Sequence, residues 1–194
     1  MTAAEYETVD AVDAPFSSKS RGVFKLDGSA GNAYHLRANC NGLPLGSADR
    51  TMMLWVRIDK LPSNPGANQF IGYGGSSNLK GYDIMIDQHS GLSTDFYGHA
   101  EPATLIPFDS DITSTFGEWR HYAMTLENRR TVKFYINGVL KTYGDLTGDA
   151  NTLADRFLLG TNMHGDNNPQ DFLEQLPRLI STIVHYRQTI SQVL

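Results

Sequence analysis

The chain has 194 residues, 40% hydrophobic and 19% charged, the balance of a folded domain and not of a disordered segment. Its net charge is −5, but Glu5, Glu7, Asp10 and Asp13 fall in the first fifteen residues with no Lys or Arg beside them, leaving 17 acidic against 16 basic residues elsewhere. That remainder offers no basic face for nucleic acid and no run of the ~18 apolar residues that would insert into a membrane. With Cys40 as the only cysteine, no intrachain disulfide can form.

Residues 1–16 read as an acidic N-terminal arm or linker, and 17–194 as one β-sandwich domain. The opening Met-Thr-Ala-Ala-Glu-Tyr-Glu has neither the positive start nor the apolar stretch of a signal peptide. The expected settings are a soluble intracellular protein, a virion component, or a module of a longer chain. From Phe24 onward, short apolar stretches alternate with Gly, Asn, Asp and Ser, the punctuation of an all-β protein. Thr51–Asp59 alternates, with Met52, Leu54, Val56 and Ile58 on one face and Met53, Trp55 and Arg57 on the other. Gly72-Tyr73-Gly74-Gly75 reads as a turn needing positive φ, followed by a strand over Tyr82–Asp87. Arg120–Leu126 sets Tyr122, Met124 and Leu126 against His121, Ala123 and Thr125. Thr131–Ile136 points Val132, Phe134 and Ile136 inward. Asn137-Gly138 then predicts a tight hairpin into Val139–Tyr143. Phe157–Leu159 and Ile180–Tyr186 complete the strands, and Thr189–Leu194 has room for one helical turn. This spacing implies an all-β, two-sheet antiparallel β-sandwich of jelly-roll type.

Four stretches carry a family resemblance. They are Phe24-Lys25-Leu26-Asp27-Gly28 with Tyr34-His35-Leu36; Met52-Met53-Leu54-Trp55-Val56-Arg57; Gly117-Glu118-Trp119-Arg120-His121-Tyr122-Ala123 running on through Asn137-Gly138-Val139; and Ile180–Ser191. Together they resemble the laminin G-like branch of the concanavalin A-like lectin/glucanase superfamily over roughly residues 20–194. The resemblance implies the jelly-roll fold and structural roles for Trp55 and Trp119. The family's closing strand commonly carries acids where this chain has Ser181 and Thr182.

Glycosidases of this superfamily place two carboxylates about 5 Å apart on one strand, in a Glu-x-Asp-x-x-Glu pattern. The nearest string, Glu5-Tyr6-Glu7-Thr8-Val9-Asp10, lies in the expected arm. No catalytic motif is found, so the chain reads as non-catalytic. A glycan would need aromatic rings with amides and carboxylates nearby. Tyr73, Tyr97, His99, Asn162 and Asn167 are the ligand candidates, with Trp55 and Arg57 considered beside them. Tyr122, Tyr135 and His121 read as cross-strand packing, and His185 as a core histidine. The oxygen-rich Asn162–Asp171 loop suits Ca²⁺, which takes six to eight oxygen ligands. Asp27, Asn162, Asp166, Asn168 and Asp171 are the expected ligands. The histidines show no zinc spacing. The expected function is therefore glycan recognition, with Ca²⁺ as an accessory. The alternatives are a structural or adhesion protein working through protein contacts, including a homo-oligomer joined by the N-terminal arm, and a polysaccharide hydrolase or lyase without a recognisable motif.

Overall fold

The computed structural model describes residues 5–9, 21–26, 36–59, 67–75, 77–87, 91–93, 112–159 and 180–183. A seven-stranded sheet has the order β1 (Glu5–Val9), β2 (Arg21–Leu26), β12 (Ile180–Ile183), β4 (Arg50–Ile58), β8 (Trp119–Glu127), β9 (Thr131–Ile136) and β10 (Val139–Asp145). A five-stranded sheet has the order β3 (Leu36–Ala38), β11 (Arg156–Leu159), β5 (Ala67–Gly74), β6 (Gly81–Asp87) and β7 (Gly91–Ser93). Every pairing is antiparallel, and the fold is the two-sheet jelly-roll sandwich. The described residues contain no α-helix, only a 3-10 turn at Ile112–Thr115.

The core is filled by the period-two apolar faces. Met52, Leu54, Val56 and Ile58 of β4, Tyr122, Met124 and Leu126 of β8, and Val132, Phe134 and Ile136 of β9 are all buried. They meet Phe70, Ile71, Tyr73, Tyr82, Ile84 and Ile86 from the smaller sheet in one cluster. Each fully buried side chain of this kind contributes about 1.5–3 kcal/mol. Polar ties cross the same interface. Tyr82 donates its hydroxyl to the Met124 carbonyl at 2.8 Å. Arg50 is only 7% exposed, and its guanidinium sits 4.6 Å from the centre of the Tyr82 ring and 5.9 Å from that of Tyr73.

Two expectations are corrected. Glu5–Val9 is not an arm outside the sandwich, because it pairs along β2 in the register Glu5↔Lys25 to Val9↔Arg21. The acids masked a period-two sequence, Glu5-Tyr6-Glu7-Thr8-Val9, that suits an edge strand. Residues 1–4 and 10–16 lie outside the described residues. The glycine-rich stretch is not a turn either: Gly72 and Tyr73 belong to β5, and only Gly74 has positive φ, at +114°. A Cβ on Gly74 would collide with the Lys80 carbonyl and lie 2.9 Å from Thr152 Cγ2, so glycine is needed for close approach. The expected helical turn at Thr189–Leu194, and the strand beyond Ile183, lie outside the described residues.

The Asn137-Gly138 hairpin forms as expected, with φ of +50° and +79° in the two-residue link between β9 and β10. Nothing lies within 4 Å of a Cβ built on Gly138, so any cost of substitution there is backbone conformation alone. Gly138→Val should lose about 1–2 kcal/mol, and Gly138→Asn less, because asparagine tolerates this region. Urea denaturation of both variants checks this. Equal stability of the valine variant and the parent would contradict it.

Candidate functional site

Of the ligand residues expected from sequence, the structure describes Tyr73 and removes it. Its ring is 4% exposed, lies 5.7 Å from that of Tyr82, and its hydroxyl donates to the Pro44 carbonyl at 2.8 Å. It is a core residue because it helps enclose Arg50. Tyr97, His99, Asn162 and Asn167 lie outside the described residues, as do the expected Ca²⁺ ligands Asp27, Asn162, Asp166, Asn168 and Asp171. Among the described residues, no group of three His, Cys, Asp or Glu could hold a metal ion.

The described residues instead gather aromatic and charged side chains on the outer face of the seven-stranded sheet. Since β4 buries its even-numbered residues, Met53, Trp55 and Arg57 fall on the opposite face and are partly exposed. Strand β8 runs beside it in the register Trp55↔His121 and Arg57↔Trp119. The Trp55 and His121 rings stand 5.3 Å apart at 57°, and the Arg57 guanidinium lies 5.7 Å from the Trp119 ring centre. Arg57 Nε is 3.3 Å from Asp59 Oδ1, and each side chain keeps 22% of its surface exposed. Arg57 Nε, Asp59 Oδ2 and Trp119 Nε1 are buried at the atom and make no hydrogen bond. Such atoms cost about 1–3 kcal/mol each.

Across the same face, Met53 is in register with Ala123, which is followed by Tyr135 and Leu140. Thr51 leads in the same way through Thr125 and Lys133 to Tyr143. Lys133 pairs with Glu127. The face thus runs from two tryptophans and an ion pair, across an apolar middle, to the edge strand β10. There Val139, Leu140 and Tyr143 are 58%, 46% and 70% exposed. Sequence reading assigned Trp55 and Trp119 to packing and His121 to a cross-strand contact. The alternation of β4 and β8 already set Trp55, Arg57 and His121 opposite the apolar residues, and that was the available signal.

Burial pushes the His121 imidazole below its ordinary pKa of 6.5, so it is neutral at pH 7. A histidine with a lowered folded pKa contributes fully to stability above the unfolded value, and that contribution is lost as pH falls through the folded one. In a Trp119→Phe background, Trp55 emission should therefore change as His121 takes up a proton, with a midpoint below 6.5. His121→Gln should remove the transition. A midpoint at or above 6.5 would contradict this placement of the ring.

A family model described as the concanavalin A-like lectin/glucanases superfamily matches residues 27–173. No curated protein matches the chain. Among solved structures, the binding domain of Paraclostridial Mosquitocidal Protein 1 superposes with a TM-score of 0.62 at 12% identity, covering 93% of this chain and 41% of that one. Domain 4 of AbnA, an extracellular GH43 arabinanase from Geobacillus stearothermophilus solved with arabinotriose, gives 0.59 at 20% identity, covering 93% and 74%. A structure concerned with the dependence of botulinum neurotoxin type C cell entry on two ganglioside molecules gives 0.60 at 17%, covering 93% and 40%. The chain thus spans about two fifths of the toxin chains it resembles. At these identities the likeness is one of fold.

Proposed function

Since this chain belongs to the concanavalin A-like lectin/glucanases superfamily, we propose that it is a non-catalytic recognition module that binds glycan on the outer face of its seven-stranded sheet. The observation that carries this is the convergence of Trp55, Trp119, His121 and Arg57 on one partly exposed surface. An indole offers a flat apolar surface for the C–H face of a sugar, while adjoining polar groups hold the hydroxyls. Neighbours of the same fold lend support, one solved with arabinotriose and one concerned with gangliosides. The reading as a hydrolase or lyase has less behind it: its acid-rich string now has Glu5 and Glu7 on edge strand β1, away from the aromatic cluster on β4 and β8.

Trp55→Ala should weaken glycan binding at least tenfold, about 1.4 kcal/mol, while leaving the folded spectrum intact. Isothermal titration against the glycan found on an array would measure it. The exposed apolar residues of edge strand β10 favour a second reading, contact with another protein. An empty array, together with self-association that Tyr143→Lys abolishes, would establish that reading in place of glycan binding.

Ca²⁺ belongs to the same proposal. With Asp27 and the Asn162–Asp171 loop as ligands, added Ca²⁺ should raise the melting temperature of metal-stripped protein by mass action. EGTA should reverse the rise, and Asp166→Ala should abolish it. A melting curve unmoved by millimolar Ca²⁺ would remove the metal from the mechanism.

A further inference from the structure

We propose that strand β10 is the contact for a second copy of this chain, pairing antiparallel with the same strand about a two-fold axis at Tyr143. The inference goes beyond the glycan reading, since pairing along an edge leaves the outer face of each sheet open. Strand β10 ends the order of the seven-stranded sheet, and among the described residues β9 is its one neighbour. Its exposed apolar residues fall on both of its faces. Leu140 and Tyr143 are in register with Tyr135 and Lys133 of the outer face, whereas Val139 is in register with buried Ile136. A ligand lying on the outer face would cover only the first two. A strand added at the edge runs past all three, and the backbone groups of an edge strand supply its hydrogen bonds.

Charge identifies the added strand as the chain's own. Lys141 and Asp145 stand two residues before and two after Tyr143, so an extended strand sets all three on one side. An antiparallel copy centred on Tyr143 therefore brings each Lys141 opposite the partner's Asp145. Opposite charges facing across strands are favourable, and like charges are not. With Lys141 on the axis two lysines would meet, and with Thr142 there Lys141 would face tyrosine. The Thr131 hydroxyl donates to Asp145 Oδ1 at 2.8 Å, which holds the carboxylate in place on the strand. The bulge agrees with this register. Pairing with β9 passes from Leu140 to Thr142, so Lys141 is the extra residue. A bulge and a lysine keep an edge strand from pairing at random. Here both sit at one end, while residues 142–145 pair regularly with β9. An arriving strand must offer an acid at Lys141, and the same strand in antiparallel register does so. The pairing uses one patch on both copies and closes at two.

Sedimentation velocity on the full chain, from micromolar to millimolar, tests this by exchanging the charges. The parent should form a dimer within that range. Lys141→Glu and Asp145→Lys should each self-associate at least tenfold more weakly, because each sets like charges opposite one another. Mixed in equal amounts, the two variants should dimerise as the parent does, since every facing pair is then opposite in charge. Recovery in the mixture would also show that both variants fold. Trp55→Ala should dimerise unchanged. A parent that stays monomeric at millimolar concentration would overturn the proposal. Single variants that dimerise as well as the parent would overturn the register, as would a mixture of variants with parent-like circular dichroism that fails to recover. Species larger than a dimer would place another edge, such as β1, against β10 and overturn the closed pair. An empty glycan array beside an intact dimer would overturn the glycan reading and leave this pairing standing.

Discussion

The guanidinium of Arg50 is the point on which the two sheets agree. It begins β4 in the seven-stranded sheet, yet its charge is held by the other sheet and by the loops at that end. Nη1 donates to the carbonyls of Gly46 and Ala48 at 3.2 Å each, Nη2 donates to Thr152 Oγ1, and the rings of Tyr82 and Tyr73 lie alongside. A buried cation is expensive unless its donors are met, so few arrangements of these segments are tolerable. Burial pulls its pKa below the ordinary arginine value. Thr152 is in turn tied to Gly46 by backbone hydrogen bonds in both directions, 2.8 and 3.0 Å long. The same contact explains Tyr73: its ring is needed in the core, whatever its glycine neighbours suggest.

Arg50 also fixes the phase of β4. With it inside, Met52, Leu54, Val56 and Ile58 follow it inward at every second residue. Trp55 and Arg57 are then obliged to face outward. A slip of one residue would invert the strand, burying the Arg57 charge and exposing the core. The outward face of Trp55 and Arg57 is thus a consequence of core packing, read from the other side of the sheet.

This explains what was legible in the sequence. The β4, β8 and β9 patterns could be read because one face is buried and the other is not, and alternation records the difference. Asn137-Gly138 could be read because its backbone demands residues that accept positive φ. Strand β5 was missed because Ala67-Asn68-Gln69 opens it without alternation, and because Gly72 and Gly74 look like turn residues. What makes Gly74 necessary is the nearness of Lys80 and Thr152, a tertiary fact with no local signature. Trp55 and Trp119 could be placed by strand position, but their meeting with His121 and Arg57 depends on the β4–β8 register. No stretch of sequence states that register by itself.

The hairpin then proves to be more than a connection. Asn137 does not only supply positive φ; its Oδ1 accepts from the His121 backbone N–H at 2.9 Å, while its own N–H donates to the His121 carbonyl at 2.8 Å. The turn thereby closes the open side of β8 at the residue whose ring packs on Trp55. Gly138 contributes only its backbone freedom, whereas Asn137 also contributes a side chain that fixes the strand beneath the aromatic cluster. Sequence reading gave both residues one role, because a turn signature reports backbone conformation and not the destination of a side-chain oxygen. The two positions are therefore chemically unequal: loss of the Asn137 amide releases the β8 backbone beside Trp55, and loss of Gly138 strains only the turn.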